Sequence, residues 1–175
     1  MRGMTDVTIR RAGPDDATAL AALGRDTFTE TFAHLYPPED LAEFLGQAYS
    51  AEAFRTSLER ADQAMWAAEL DGQAIGYAHA GTCALPHPEV TPDCMELKRL
   101  YVRKHRQSGG LGAQLIATAL DWMAAPGRML WIGVWSENYG AQRFYARHGF
   151  EKVGEYEFPV GETRDREFIL RRSPH

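Results

Sequence analysis

With 175 residues, 45% of them hydrophobic, the chain can bury a substantial core in one compact domain spanning residues 1–175. A formal net charge of −5 argues against nucleic acid as the main partner and is compatible with a cationic one. No run of about 18 apolar residues is present, so no membrane span is expected, and MRGMTDVTIRRAG at the start has no apolar signal core, which makes a cytoplasmic location the expectation.

In chain order, VTIRR alternates apolar and charged residues and predicts a first strand. GPDD then interrupts, and Asp15 or Asp16 is placed to cap a helix starting near Ala17. Leu20, Leu23, Phe28 and Phe32 continue it at helical spacings until Pro37 and Pro38, which open a second helix, PPEDLAEFLGQAY. A third, SAEAFRTSLER, begins at the capping residue Ser50. The period then changes. AMWAAELDGQAIGYAHAG predicts strand, Asp-Gly turn, strand. A loop over 81–93 follows, with Gly81, Pro86, Pro88 and Pro92, and then a strand, CMELKRLYV. After a glycine-rich loop, a helix is predicted from about Gly112 to Ala124, with a broad apolar face that includes Leu115, Ile116, Leu120 and Met123. MLWIGVW is apolar on both faces, as in a central strand. NYGAQRFYARHGF is a helix stopped at Gly149, and FEKVGEYEF with DREFILRR forms a closing hairpin. This order predicts an α/β fold: a mixed, mostly antiparallel central sheet with helices on both faces.

Cys83 and Cys94 form neither a CxxC pair nor a disulfide framework, and free thiols are expected. None of the six histidines forms an HxxxH or HExxH pair, so no metal site is expected. The informative stretch is RKHRQSGGLGAQL, Arg103–Leu115. Gly112 is followed by Ala113 and Gln114, which excludes a Walker loop ending in Gly-Lys-Ser/Thr. Gly109, Gly110 and Gly112 lack the spacing of a dinucleotide fingerprint. What is left is Gln-x-x-Gly-x-Gly, formed by Gln107, Gly110 and Gly112 at a strand-to-helix junction. Backbone N–H groups turned inward at a helix N-terminus suit a pyrophosphate, and glycines permit close approach. A glycine-rich turn without a ligand is the plain alternative.

Two stretches together, LYVRKHRQSGGLGAQL and NYGAQRFYARHGF, resemble the GCN5-related N-acetyltransferase (GNAT) superfamily, and the resemblance runs from VTIRRAGPDDATAL to the final strands. One departure is Gly109, where that family often carries Lys or Arg. DTFTETFAHLYPPEDLAEFL, MELKRLYV and WIGVWSENYGAQRFYARHGF further resemble the Pai-type bacterial polyamine N-acetyltransferases, which act on spermidine and spermine.

The resemblance implies acetyl-CoA as acetyl donor, with no metal. It places the pyrophosphate on Gln107, Ser108, Gly109, Gly110, Leu111, Gly112 and Ala113. The pantetheine arm would lie along Leu100, Tyr101 and Val102, where the family splays this strand from MLWIGVW, with Asn138 holding the arm. Tyr145 matches the tyrosine that protonates the departing thiolate, and the Val102 N–H the donor to the thioester carbonyl. Glu96 matches a general base of some members. It precedes Val102 by six positions, roughly 20 Å along a strand and on the same face if no bulge intervenes. Other readings stay open: Glu96 paired with Lys98 or Arg99, Tyr145 as packing, Asn138 as a helix cap. His34, Tyr36 and Trp135 are candidates for the acceptor, a small-molecule amine. Acetylation of a protein N-terminus or lysine, and a non-catalytic acyl-CoA sensor, are the alternatives. A homodimer is left open.

Overall fold

The computed structural model describes residues 7–107 and 109–174, so Ser108 of the predicted loop lies outside the described residues. Seven strands form one sheet: β1 Thr8–Arg11, β2 Gln63–Leu70, β3 Gln73–Thr82, β4 Met95–Val102, β5 Leu130–Trp135, β6 Glu151–Val160 and β7 Thr163–Arg172, in the order β1-β2-β3-β4-β5-β7-β6. All neighbours are antiparallel except β4 and β5. Asp71 (φ 52°) and Gly72 (φ 77°) make the β2–β3 turn, in the left-handed conformations that a two-residue hairpin loop demands.

Five α-helices cover the sheet: α1 Ala17–Phe32, α2 Pro38–Ala48, α3 Ala51–Glu59, α4 Leu111–Met123 and α5 Tyr139–Arg147. One face is filled by α4 and α5, where Leu115, Ile116, Met123 and Tyr145 pack on Ala78, Ala80, Leu97 and Ile132. The small alanines leave room for α4 to lie close to β3 and β4. The other face is filled by α1 and α3, with Leu20, Leu23, Phe28 and Phe54 on Met65, Ala67 and Tyr77.

Local chemistry explains most boundaries. Pro38 occupies the first turn of α2, where its missing N–H costs nothing. The Ser50 hydroxyl accepts from Ala53 N–H at 3.0 Å, so the predicted cap of α3 is formed. At the end of α5, Gly149 (φ 90°) donates to the Ala146 carbonyl and Phe150 to the Tyr145 carbonyl. This paired pattern is a Schellman motif, and it turns Phe150 back into the core.

The helix starting at Ala17 is not capped as expected. Asp16 stands at the cap position, but its carboxylate reaches backwards to Gly13 N–H (2.8 Å) and to Arg10 (2.7 Å). A short 3-10 turn, Pro14–Asp16, precedes the helix and takes that bond. Strand β3 runs on to Thr82, so Gly81 is in the strand, and β4 starts at Met95 rather than Cys94. Helix α4 spans Leu111–Met123 rather than 112–124, which puts Gly112 inside its first turn. Cys83 and Cys94 are free and buried.

Leu115 has no exposed surface and touches both the β3 and β4 layers of the core. Leu115→Ala is expected to lower unfolding free energy by about 2–5 kcal/mol in urea titrations, through lost burial and a residual cavity.

Candidate active site

Strands β4 and β5 run parallel and pair only at Met95–Leu130, Glu96–Trp131 and Leu97–Ile132. Beyond Leu97 the ladder stops and the strands diverge. At this point β4 bulges: His79 faces Arg99 and Ala80 faces Leu97, leaving Lys98 as the extra residue. The bulge flips the alternation along β4. Leu97, Leu100 and Val102 pack on the α4 side, whereas Tyr101 packs on the α1 side. Glu96, the neighbour of Leu97, therefore does not share a face with Val102, contrary to the expectation for a regular strand.

The divergence opens a cleft of about 1260 Å³ through the sheet. Its β4 wall has unpaired backbone. Arg103 N–H donates to Ile75 on β3 at 2.9 Å, so strand alternation turns the N–H groups of Leu100 and Val102 towards the gap. At one mouth lies the glycine loop. Gly110 is left-handed (φ 80°) with nothing within 4 Å of where a Cβ would stand, and Gln107 closes the loop by donating to the Val102 carbonyl at 3.1 Å. No side chain of the described residues caps the N-terminus of α4, which leaves the first-turn N–H groups facing outwards. Lys104, Arg147 and His148 line this mouth.

Of the predicted loop residues, Gln107, Gly110, Gly112 and Ala113 line the cleft together with Leu100, Tyr101 and Val102. Gly109 does not line it, and the Leu111 side chain is buried in the α4 core. Asn138 and Tyr145 line the opposite wall. Asn138 Oδ1 accepts from Ala141 N–H at 3.1 Å, so the cap is real, and its Nδ2 is left for another partner. Tyr145 is almost fully buried. Burial, and then the charge of Glu167, push its phenol well above the ordinary tyrosine range, which keeps the O–H protonated.

The other mouth is enclosed by the α1–α2 joint and the β6–β7 hairpin. The Tyr36 hydroxyl donates to Asp165, and Asp40 accepts from Thr163 (2.6 Å) and Glu162 N–H (3.1 Å), pinning α2 to the hairpin. Phe28, Phe32, Tyr36, Phe44, Trp135 and Phe158 wall this end. Phe28 and Phe32 are both core residues and cleft lining. His34 is exposed at the rim, and Trp135 meets Phe32 edge-on at 5.9 Å. Glu96 also lines this end. Its Oε1 accepts from Ala84 N–H at 3.0 Å and from Lys98 at 3.3 Å, the ion pair that was its alternative reading. Arg99 lies beneath, 4.2 Å from the centre of the Tyr49 ring and bonded to the Ala48 carbonyl.

Sequence reasoning missed Glu167, Tyr156 and Phe158, which line this end from β7 and β6. The signal was the alternation Asp165–Glu167–Ile169, which puts two carboxylates on one face of a strand. Burial first, then Asp165 and Glu96, push the Glu167 carboxyl up to about 7.

The chain is similar to known proteins. The profile of the Acetyltransferase (GNAT) family matches residues 25–150. The chain belongs to that family. An uncharacterised N-acetyltransferase of the pepI 3′ region in Lactobacillus delbrueckii subsp. lactis is 31% identical over 174 residues, covering 97% of this chain and 99% of the relative. An uncharacterised N-acetyltransferase of Mycobacterium tuberculosis is 31% identical over 163 residues, 90% and 97% of the two chains. The GNAT fold is shared with the PaiA N-acetyltransferase of Thermoplasma acidophilum in complex with coenzyme A (TM-score 0.75, 21% identity, 95% and 98% covered). It is also shared with Arabidopsis thaliana NAA60 in complex with a bisubstrate analogue (TM-score 0.71, 18% identity, 97% and 99% covered). Among the described residues no helix is long and apolar enough to cross a membrane, and no cluster of His, Cys, Asp or Glu is arranged to hold a metal ion.

A carboxyl raised above its unfolded value destabilises the fold progressively as pH climbs from about 4.5 to about 7, because the unfolded chain ionises first. Glu167→Gln removes that cost. Urea titrations are expected to find the variant more stable than wild type at pH 8, with the difference gone at pH 4. Equal stability at every pH would count against a desolvated carboxyl at this position.

Proposed function

We propose that this chain is an acetyl-CoA-dependent N-acetyltransferase acting directly on a primary amine of a small cationic molecule, polyamines among them. The observation that carries the substrate class is the composition of the acceptor end. Aromatic walls from Phe28, Phe44, Trp135 and Phe158 surround carboxylates from Glu96 and Glu167, with Asp165 behind Tyr36. The nearby cations are already engaged, Lys98 by Glu96 and Arg99 by Tyr49 and the Ala48 carbonyl. An ammonium group on an apolar chain matches both features, through charge attraction and cation–π contact.

The residues present fit acetyl-CoA. The free space over Gly110 and the uncapped N–H groups of Leu111, Gly112 and Ala113 suit a pyrophosphate, with Lys104 and Arg147 adding positive charge. The unpaired β4 edge at Leu100–Val102 offers hydrogen bonds to an amide-bearing arm, as in strand addition. Asn138 Nδ2 is free to help hold that arm. When bound, acetyl-CoA supplies an acetyl group activated as a thioester. The Val102 N–H polarises the carbonyl, which accepts negative charge during attack. Tyr145 gives its proton to the departing sulfur; burial keeps that proton available at neutral pH. His34, Tyr36 and Trp135 position the amine at the far end. Because the cleft runs from the glycine loop to the aromatic end, a thioester held at one end and an amine held at the other would face each other directly, and no acyl-enzyme would be needed.

Thiol release with acetyl-CoA against spermidine, aminoglycosides and short peptides tests the assignment, with spermidine-like amines expected to react fastest. A preference for peptides would overturn the substrate class and leave acetyl transfer standing. Acetyl-CoA binding without transfer to any amine would instead identify a sensor. Tyr145→Phe is expected to lower kcat by about 100-fold while the acetyl-CoA Kd by calorimetry changes little. Full turnover in that variant would remove Tyr145 from the mechanism.

A further inference from the structure

We infer that Glu167, rather than Glu96, takes the proton from the acceptor amine before it attacks. This rests on the acetyl-transfer reading above and adds a residue to it. Three observations carry it.

The first is position. Glu167 sits on β7 paired with Trp135 of β5 on one side and Tyr156 of β6 on the other, and its side chain enters the cleft. It therefore stands at the acceptor end, where the open side of β5 faces the diverged part of β4. Tyr145 and Glu167 both line this cleft, so proton donor and proton acceptor open onto the same space.

The second is hydrogen-bonding capacity. Glu96 Oε1 is committed to the Ala84 N–H and Lys98. Asp165 is committed to the Tyr36 hydroxyl. Among the described residues no side chain or backbone donor meets the Glu167 carboxylate. The lone pairs of this half-buried carboxylate are open to a donor entering the cleft, and an ammonium supplies one.

The third is electrostatic. The groups that face Glu167 are Asp165 on its own strand, Tyr156 on β6, Tyr145 on α5, Tyr36 at the α1–α2 joint, and Glu96 with its partner Lys98 on β4. The two carboxylates raise its proton affinity, the tyrosines are neutral, and the one nearby ammonium is neutralised by Glu96. An ordinary carboxylate is too weak a base to compete for an amine proton near neutrality. One held near neutrality by burial and like charge is suited to it.

The step balances as follows. The Glu167 carboxylate accepts one proton from R–NH3+, giving R–NH2 and a neutral carboxylic acid. The amine lone pair forms the C–N bond to the acetyl carbonyl carbon, and the C–S bond breaks with its electron pair going to sulfur. Tyr145 protonates that sulfur. The second proton lost by nitrogen restores the phenol, and Glu167 releases its proton to solvent. The products are the acetamide, coenzyme A thiol and one proton.

The test is the pH profile of kcat/KM for wild type, Glu167→Gln and Glu96→Gln with a reactive amine, alongside calorimetric acetyl-CoA binding. Wild type is expected to show an ascending limb near pH 7, matching the raised carboxyl. Glu167→Gln should lose that limb and about 100-fold or more in kcat/KM, with acetyl-CoA affinity unchanged, whereas Glu96→Gln should keep the limb. Because glutamine preserves the shape while removing the charge and basicity, a packing role alone would not abolish the limb. If Glu167→Gln retains the limb and turns over within about twofold of wild type, the assignment is overturned while acetyl transfer stands. A wild type that transfers to none of the amines overturns both.

Discussion

The site depends on one interruption in the sheet. Parallel pairing between β4 and β5 ends after Leu97 and Ile132, and everything functional is arranged around the gap that follows. Unpaired backbone N–H and C=O groups normally demand a partner. Here they form a ready edge for a ligand with amide groups. The bulge at Lys98 belongs to the same interruption. By adding one residue, it sends Leu100 and Val102 into the α4 core and turns Tyr101 towards α1, so the splayed half of β4 is anchored on both faces despite losing its neighbour. The parallel junction holds because Trp131 and Ile132 are fully buried, gripping β5 on the near side of the gap.

Charge is divided between the two mouths. At the loop mouth, helix N–H groups and the cations Lys104 and Arg147 favour an anion. At the other mouth, carboxylates from β4 and β7 sit among aromatic rings. Arg99 is the apparent exception, but its guanidinium is sealed between aromatic rings of α3 and its flanks and serves to hold β4 against that helix. The burial of Glu167 is a burden on stability. The Glu167 carboxyl ionises in the fold at a pH well above its ordinary range, a folding cost that the cores on either face of the sheet must offset.

Much of this was legible in the chain. Ser50, Pro38, Asp71–Gly72 and Gly149 each announced a cap or turn through local chemistry that needs no distant partner, and the structure forms them. The succession of strands and helices along the chain followed from the change between periods of 3.6 and 2, whereas the order of the strands within the sheet did not. Asp16 misled because a competing donor, Gly13 N–H, and Arg10 on the preceding strand both claimed its carboxylate. The reach of Arg10 becomes visible only once β1 is laid down. The face of Glu96 misled for a related reason: alternation predicts side only while the ladder stays regular, and no residue type in MELKRLYV marks a bulge.

The sequence by itself determined the family, the glycine loop, and the Asn138–Tyr145 helix beside it, because those features lie in contiguous segments whose spacing carries the chemistry. Tertiary structure alone decided how the acceptor end is built. Glu96, Tyr36, Tyr156 and Glu167 come from four separate segments of the chain, and only the closing of β6–β7 onto β5 brings them to one cleft, with Asp165 bonded to the Tyr36 hydroxyl. A carboxylate's role depends on its partners and its burial, both set across large sequence separations. Lys98 and the Ala84 amide occupy Glu96, and the fold buries Glu167 among like charges with no donor among the described residues.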